Sequence, residues 1–323
     1  MNILISGGAG YIGSHIVEQL IQKKINVVII DNLKTGHKKL INKKAKFIKA
    51  NISNKGLIRK TINKYSINSI IHLAAYLNVS EAEIKKKKYY KNNILATKLL
   101  LESAKNTTVK NIIFSSSCSV YGNVKGAVSE TKKINPQGYY AYTKYKGEEL
   151  IKKYSKKNKF RYGILRYFNV AGASPSGLIG EIETSHGHLI KNIAIQSLKK
   201  NPKIKIYGND YETKDGTCIR DYIHVSDLAD IHIKSLVYLN KNKKSFILNC
   251  GYGKGYSVKD IVNIFKKIKS NVKISFLSRR SGDVEQVYSN TKKFLKTFKW
   301  KPRFNDIRII IKSAIKWEKK QKK

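Results

Sequence analysis

Apolar and polar positions follow two different periods along the first half of the chain. "MNILISG", "NVVIIDN", "INSIIHLAA" and "VKNIIFSSS" are short, nearly continuous apolar runs. Between them lie longer stretches with apolar residues three or four positions apart, among them "YIGSHIVEQLIQKK" and the lysine-rich "KKKKYYKNNILATKLLLESAK". The first kind predicts strands buried on both faces, the second amphipathic helices. Their alternation predicts an α/β fold, a doubly wound parallel sheet of the Rossmann type. From about Asn169 the rhythm becomes irregular. "AGASPSG" and "YGNDYETKDG" are rich in turn residues, "HLIKNIAIQSLKK" predicts a helix, and shorter elements run to the basic tail "WEKKQKK". The expected organisation is a first domain over residues 1–168 and a second, smaller α/β domain over 169–323, some segments of which return to the first, with a cleft between the halves.

Composition narrows the class. With 323 residues, 41% hydrophobic and 27% charged, the chain reads as a soluble globular protein. No run of 18 or more apolar residues offers a membrane span, and "MNILISGGAG" lacks the basic-then-apolar order of a secretory leader. The three cysteines, Cys118, Cys218 and Cys250, have neither disulfide-framework nor metal-site spacing, and His15, His72 and His224 have no metal-ligand spacing either. A cytoplasmic protein without a metal is expected. The net charge of +44 raises nucleic-acid binding as an alternative. The excess lysines, however, are spread among asparagine and isoleucine along the whole chain, as in "LINKKAKFIKANISNK", which is the bias of an AT-rich coding sequence. A nucleic-acid partner is therefore not expected, although a positive field attracts an anionic substrate.

Candidate chemistry begins with "ILISGGAGYIGSH". Gly7, Gly10 and Gly13 stand between a predicted strand and a predicted helix. Glycines there allow a tight turn and a close approach of backbone N–H groups to a pyrophosphate, which the helix N-terminus also attracts. Asp31 ends the second strand, 18 residues after Gly13, where a carboxylate accepts hydrogen bonds from an adenosine ribose. The same carboxylate repels a 2′-phosphate, so NAD is expected rather than NADP.

"IIFSSSCSVYG" delivers serines to the carboxyl end of a parallel strand, where open α/β sheets bind ligands. Tyr140 lies 23 residues after Ser117, in "GYYAYTKYKGEE". Two tyrosines of that stretch, Tyr140 and Tyr142, have a lysine four residues on, at Lys144 and Lys146, so each pair shares a helix face. A neighbouring ammonium and an oxidised nicotinamide both favour a phenolate, which can take a proton from a sugar hydroxyl while hydride leaves the same carbon. Ser117 would hold that oxygen in line.

With GxxGxxG, the serine and YxxxK in place, the chain resembles the extended short-chain dehydrogenases/reductases. Through "RYFNVAGA", "DGTCIRDYIHVSDLADIH" and "NCGYGKGYSV" it is closely similar to their UDP-glucose (UDP-galactose) 4-epimerases over essentially its whole length. That family writes its catalytic helix Y-x-x-[ST]-K, which Tyr140, Thr143 and Lys144 satisfy and Tyr142 and Lys146 do not. The resemblance implies a first domain that binds NAD and a second that binds the UDP-sugar. Tyr140 takes the 4-OH proton, hydride moves from C4 to NAD, the 4-keto sugar turns over, and hydride returns to its other face. Sugar-nucleotide 4,6-dehydratases carry an Asp-Glu pair where Cys118 and Ser119 stand. UDP-glucuronate decarboxylases remain the alternative enzyme, and a non-catalytic NAD-binding protein would be expected to lose Tyr140 or Lys144.

Further contacts are implied by the resemblance alone. For the cofactor these are Tyr11, Ile12, Asn32, Asn51, Ile52, Asn92 and Ser115, besides Tyr140 and Lys144. For the UDP-hexose they are Asn169 and the phosphate-pairing Arg220 and Arg280, with Tyr207 facing the uracil and Asp283 the uridine ribose. A homodimer is implied as well. Many of these epimerases have Asp in place of Asn51 and some a lysine in place of Leu77, while Lys85–Lys88 replaces a more neutral segment with no assigned role. A position near the sugar distinguishes enzymes that admit a 2-N-acetyl group from those that do not. The alignment puts Val287 there, leaving room for UDP-GlcNAc and UDP-GalNAc; a shift of one residue would put Tyr288 there and close it.

Overall fold

The computed structural model describes residues 1–182, 187–280 and 283–322. The chain opens with β1 (Asn2–Ser6), α1 (Tyr11–Gln22), β2 (Asn26–Asp31), β3 (Lys46–Lys49), α2 (Lys55–Lys64) and β4 (Ser69–His72). Two short helices, α3 (Val79–Ile84) and α4 (Lys86–Tyr89), lead through a π-helical turn at Tyr90–Leu95 into α5 (Ala96–Ala104). Next come β5 (Asn111–Ser117), β6 (Ala127–Val128), α6 (Tyr139–Asn158), β7 (Arg161–Tyr167) and β8 (Asn169–Ala171). The remainder is α7 (Leu189–Ser197), β9 (Lys203–Tyr207), β10 (Ile219–His224), α8 (Val225–Asn242), β11 (Phe246–Cys250), β12 (Gly255–Ser257), α9 (Val258–Ile268), β13 (Lys273–Leu277), β14 (Gln286–Ser289), α10 (Lys292–Phe298) and α11 (Ile307–Gln321).

A seven-stranded sheet runs in the order β11-β7-β5-β4-β1-β2-β3, and the ladders joining β5, β4, β1, β2 and β3 are parallel. The apolar runs read from the sequence are its central strands. All four residues of β4 and the first six of β5 are buried, as strands covered on both faces require. The order reverses at β1, with β2 on one side and β4 on the other. Such a switch point leaves a crevice at the carboxyl ends of the strands. The α/β doubly wound fold with a second sheet system is the one expected.

The chain forms two compact units. One contains Met1–Val120, Pro136–Arg166 and Ala229–Leu248; the other contains Tyr121–Asn135, Tyr167–Leu228 and Asn249–Lys323. Crossings therefore fall after residues 120, 135, 166, 228 and 248; the third lies near the boundary expected at 168, and Ala229–Leu248 is a later segment within the first unit. The cause is strand pairing. β11 lies on the edge of the seven-stranded sheet, while β6 pairs with β14. The first unit has a core that includes Leu4, Ile30, Ile70, Leu100, Ile112 and Ile151. In the second, β10 is flanked by β8, β12 and β14, and a core that includes Ile193, Ile206, Tyr222, Phe265 and Ile311 lies beside this sheet.

Two buried histidines tie stability to pH. His72 on β4 hydrogen-bonds Ser6 Oγ through Nδ1 (2.7 Å) and Thr97 Oγ1 through Nε2 (2.8 Å), and His15 Nδ1 bonds the Tyr11 carbonyl (2.8 Å). Burial holds the imidazole of His15 down to about 4 and that of His72 down to about 3, with the Lys144 charge adding to the latter. Unfolded histidine titrates near 6.5, so the unfolded chain binds the extra proton first and each group withdraws stability as pH falls from about 6.5 toward 4. Denaturant titrations at pH 7 and pH 4 should show His15→Gln losing about 3 kcal/mol less over this interval than wild type. Parallel losses in the two proteins would contradict a neutral buried His15.

Candidate functional site

The turn from β1 into α1 is built for close approach. Gly7 has φ +78°, and a Cβ there would lie 2.8 Å from the Ala74 nitrogen. At Gly13 a Cβ would stand 2.2 Å from the Gly7 carbonyl oxygen, so only glycine lets the first turn of α1 fold back on the loop. Gly10 donates to the Gly7 carbonyl (3.1 Å) and is the N-cap of α1, with no side chain to occupy the helix end. No residue of the first helical turn is acidic, leaving the positive end of the dipole to an anion. A pyrophosphate fits this cradle. Tyr11 lies edge-on to the His15 ring, and Ile12 beside it is half-buried.

Asp31 ends β2 next to this turn. Its Oδ2 accepts from the Ala9 N–H (3.1 Å) and its Oδ1 from the Leu33 N–H (2.9 Å). Burial pushes the carboxyl up from its ordinary value, and the two amides and the His37 charge draw it back. Asn32 caps its own turn, its Oδ1 accepting from Lys34 N–H (3.0 Å), and the exposed Asn51 does the same for Ser53 N–H (3.0 Å). Ile52 belongs to the first unit's core, and Asn92 donates to the Asn93 side chain (3.1 Å). Leu77 is exposed.

The second feature is the contact of β5 with α6. Gly147 permits it, because a Cβ there would come within 2.4 Å of the Phe114 ring. Lys144 is buried and donates to the Ser115 carbonyl (2.9 Å). Tyr140 is half-buried, with its phenol beside Ser117, whose Oγ accepts from Ser119 N–H (3.2 Å). Burial pushes the Tyr140 phenol well up, outweighing the opposing pull of the Ser117 hydroxyl, and lowers the Lys144 ammonium to about 8. This corrects the electrostatic part of the sequence argument. The ammonium expected beside the phenol is engaged by a backbone carbonyl, and desolvation dominates the phenol. The other pair faces solvent, with Tyr142 exposed and Lys146 bound to Glu149 (2.7 Å).

Sequence reading missed what holds α6 in place. Glu148 lies on the same helix face as Tyr140 and Lys144 and is fully buried. It receives Ser116 Oγ (2.6 Å), Arg166 Nε (2.8 Å) and Arg166 Nη2 (2.6 Å), the arginine coming from β7. Asn93 was also missed. It accepts from Tyr76 N–H (2.9 Å) and donates to the Tyr76 carbonyl (3.0 Å) and to Thr143 Oγ1 (3.1 Å). An arginine inside the apolar run "YGILRYF" was the available signal, since a charge in a doubly buried strand requires a partner.

In the second unit Arg220 (β10) lies 3.8 Å and Arg280 3.9 Å from Asp283 oxygens, so one carboxylate bridges the two guanidiniums. The Arg280 guanidinium stacks 4.0 Å over the Tyr207 ring. Asn169 opens β8, where its neighbour Val170 pairs with Ile223 of β10. Val287 is the parallel partner of Arg220, and Tyr288 pairs with Ala127. Strand alternation therefore puts Val287 on the sheet face of Arg220 and Tyr288 on the opposite face.

The sequence profile of the NAD dependent epimerase/dehydratase family matches residues 3–251. The chain belongs to this family. It is 38% identical to the UDP-glucose 4-epimerase of Lactobacillus helveticus, over 100% of this chain and 98% of that protein. Among solved structures, the UDP-glucose-4-epimerase of Stenotrophomonas maltophila with bound NAD and formylated UDP-arabinopyranose superposes with a TM-score of 0.95 at 32% identity, covering 100% of this chain and 99% of that one. The UDP-Glc/GlcNAc 4-epimerase of Campylobacter jejuni superposes with a TM-score of 0.85 at 38% identity, covering 99% of each chain. Family membership gives the glycine cradle and the Ser117–Tyr140 pairing a common context.

Removing one member of the Glu148–Arg166 pair strands a buried charge. Glu148→Leu should cost about 3–5 kcal/mol in urea unfolding, and the double variant Glu148→Leu/Arg166→Met should regain most of that loss. Equal losses in single and double variants would show that the ion pair is not the source.

Proposed function

We propose that this chain interconverts UDP-glucose and UDP-galactose by NAD-dependent epimerisation at C4, through a transient 4-keto sugar nucleotide. The observation that carries the reading is the meeting of Tyr140 with Ser117 at the carboxyl end of β5, with Lys144 one turn along α6. Full-length similarity to UDP-glucose 4-epimerases supports it.

When bound, NAD supplies the two-electron acceptor and donor for C4. Gly7, Gly10, Gly13 and the start of α1 hold its pyrophosphate, and Asp31 holds the adenosine ribose. Tyr11, Ile12, Asn32, Asn51, Ile52, Asn92 and Ser115 complete the cofactor surface on the strength of the resemblance. Ser117 fixes the sugar oxygen, and Tyr140 takes its proton and later returns one. Because burial holds the phenol up and Lys144 is engaged by the Ser115 carbonyl, deprotonation of Tyr140 would depend on positive charge brought beside it by an oxidised nicotinamide. Arg220, Arg280 and Asn169 hold the diphosphate, which replaces Asp283 on the two guanidiniums and frees its carboxylate for the uridine ribose. Tyr207 takes the uracil. A firm hold on the nucleotide and a loose one on the hexose let the keto sugar turn over.

The working form is a homodimer in the cytoplasm, a reading supported by the family resemblance and by three cysteines that form no disulfide among the described residues. Among the described residues no helix is long and apolar enough to cross a membrane.

Purified protein should release NAD on denaturation and interconvert the two UDP-hexoses without added reductant; NADP as the main released nucleotide would refute the role of Asp31. Tyr140→Phe should fold, retain NAD and lose turnover by about 10²–10⁴-fold, while Tyr142→Phe should stay near wild type. Equal losses in the two would move the proton acceptor elsewhere.

The position of Val287 beside Arg220 favours acceptance of an N-acetylated sugar as well, in line with the name of the Campylobacter jejuni structure. UDP-GlcNAc and UDP-GalNAc should interconvert in wild type, and Val287→Tyr should lose that pair selectively. Wild-type protein inactive on UDP-GlcNAc would overturn this reading of specificity.

A further inference from the structure

The lysine run Lys85–Lys88 is absorbed by none of the chemistry above. In the structure two of its members, Lys85 and Lys88, meet one carboxylate. Asn78 caps α3 by accepting from the Glu81 N–H (2.9 Å). The Glu81 side chain then receives the ammonium groups of Lys85 (3.2 Å) and Lys88 (2.8 Å). The Tyr89 hydroxyl is shared between Glu81 Oε2 (3.1 Å) and the Asn78 carbonyl (2.7 Å). Lys88 also stands 4.4 Å over the Tyr76 ring, and Lys86 stands 5.8 Å over that of Tyr139. These contacts pin the corner made by α3 and α4.

Glu83 serves a different element. The helix α6 begins at Tyr139, and its N-cap Gly138, at φ +81°, offers no side-chain acceptor. The first amides of a helix need acceptors, and a carboxylate is favoured there by the helix dipole. Glu83 Oε1 accepts the Tyr139 N–H from 56 residues away in sequence. A Cβ at position 138 would lie 2.8 Å from that oxygen, so the glycine both lacks a cap of its own and makes room for this one.

We propose that Glu83 is a positioning residue for Tyr140, capping the catalytic helix one residue before the phenol from the short helix α3, whose neighbouring Glu81 is tied to Lys85 and Lys88. This rests on the reading of Tyr140 as the proton acceptor. Glu83 acts through the backbone of Tyr139, so its loss should appear in turnover rather than in substrate affinity.

The test compares full-length wild type with Glu83→Ala, Glu83→Gln and Asn54→Ala. The last removes a side-chain cap from α2, where Asn54 accepts from Leu57 N–H (3.1 Å). Glu83→Ala should lower kcat about ten-fold, leave KM for UDP-galactose within about two-fold and speed amide exchange in the first turn of α6 about ten-fold. Glu83→Gln, which keeps an acceptor oxygen, should recover most of both losses. Asn54→Ala should lose comparable thermal stability with kcat within about two-fold of wild type. The inference is overturned if Glu83→Ala leaves exchange or kcat unchanged, or if Asn54→Ala lowers kcat equally. Wild-type protein without turnover would overturn the proposed function instead, and exchange would still decide whether Glu83 orders this turn.

Discussion

The packing of α6 against β5 is the constraint on which the rest depends, and a buried ion pair enforces it. Taking a carboxylate and a guanidinium out of water costs several kcal/mol for each ion, recovered only with close geometry and full hydrogen bonding. Glu148 meets those terms with two bonds from Arg166 and one from Ser116. A slip of the helix along the strand would break all three. The demand that stabilises little in net terms therefore selects one register, and that register puts Tyr140 against Ser117 and Lys144 against the Ser115 carbonyl.

Much of this was legible in the sequence, for physical reasons. A strand buried on both faces has to be continuously apolar, and a backbone that must approach a phosphate has to contain glycine; both leave local marks. The family pattern separates Tyr140 from Tyr142 by the residue three positions on, and in the fold the first phenol is half-buried and the second exposed. What escaped is non-local. The five crossings between units depend on which edges β6 and β11 pair with, and Glu148 looks like any surface glutamate until β7 is seen behind it. The balance at Tyr140 was misjudged because spacing says that an ammonium is near but not what else it is bonded to.

The charge of the chain also looks different once placed. An excess of 44 positive charges would be costly if concentrated. Several of the few acidic residues each serve two cations, among them Glu81 between Lys85 and Lys88 and Asp283 between Arg220 and Arg280. The first is a fixed part of the fold. The second joins groups at 3.8 and 3.9 Å, beyond direct hydrogen-bond distance.

The return of β11 to the sheet edge has a consequence for how the protein is made. During synthesis β7 leaves the ribosome long before Phe246–Cys250, and every residue between them must follow first. For that interval β7 presents an open edge to the crowded cell, a template for pairing with another chain. Neither unit corresponds to a continuous stretch that could finish folding first and shield it. Conditions that slow elongation between residues 167 and 246 should therefore lower the yield of soluble protein while leaving the stability of the finished molecule untouched.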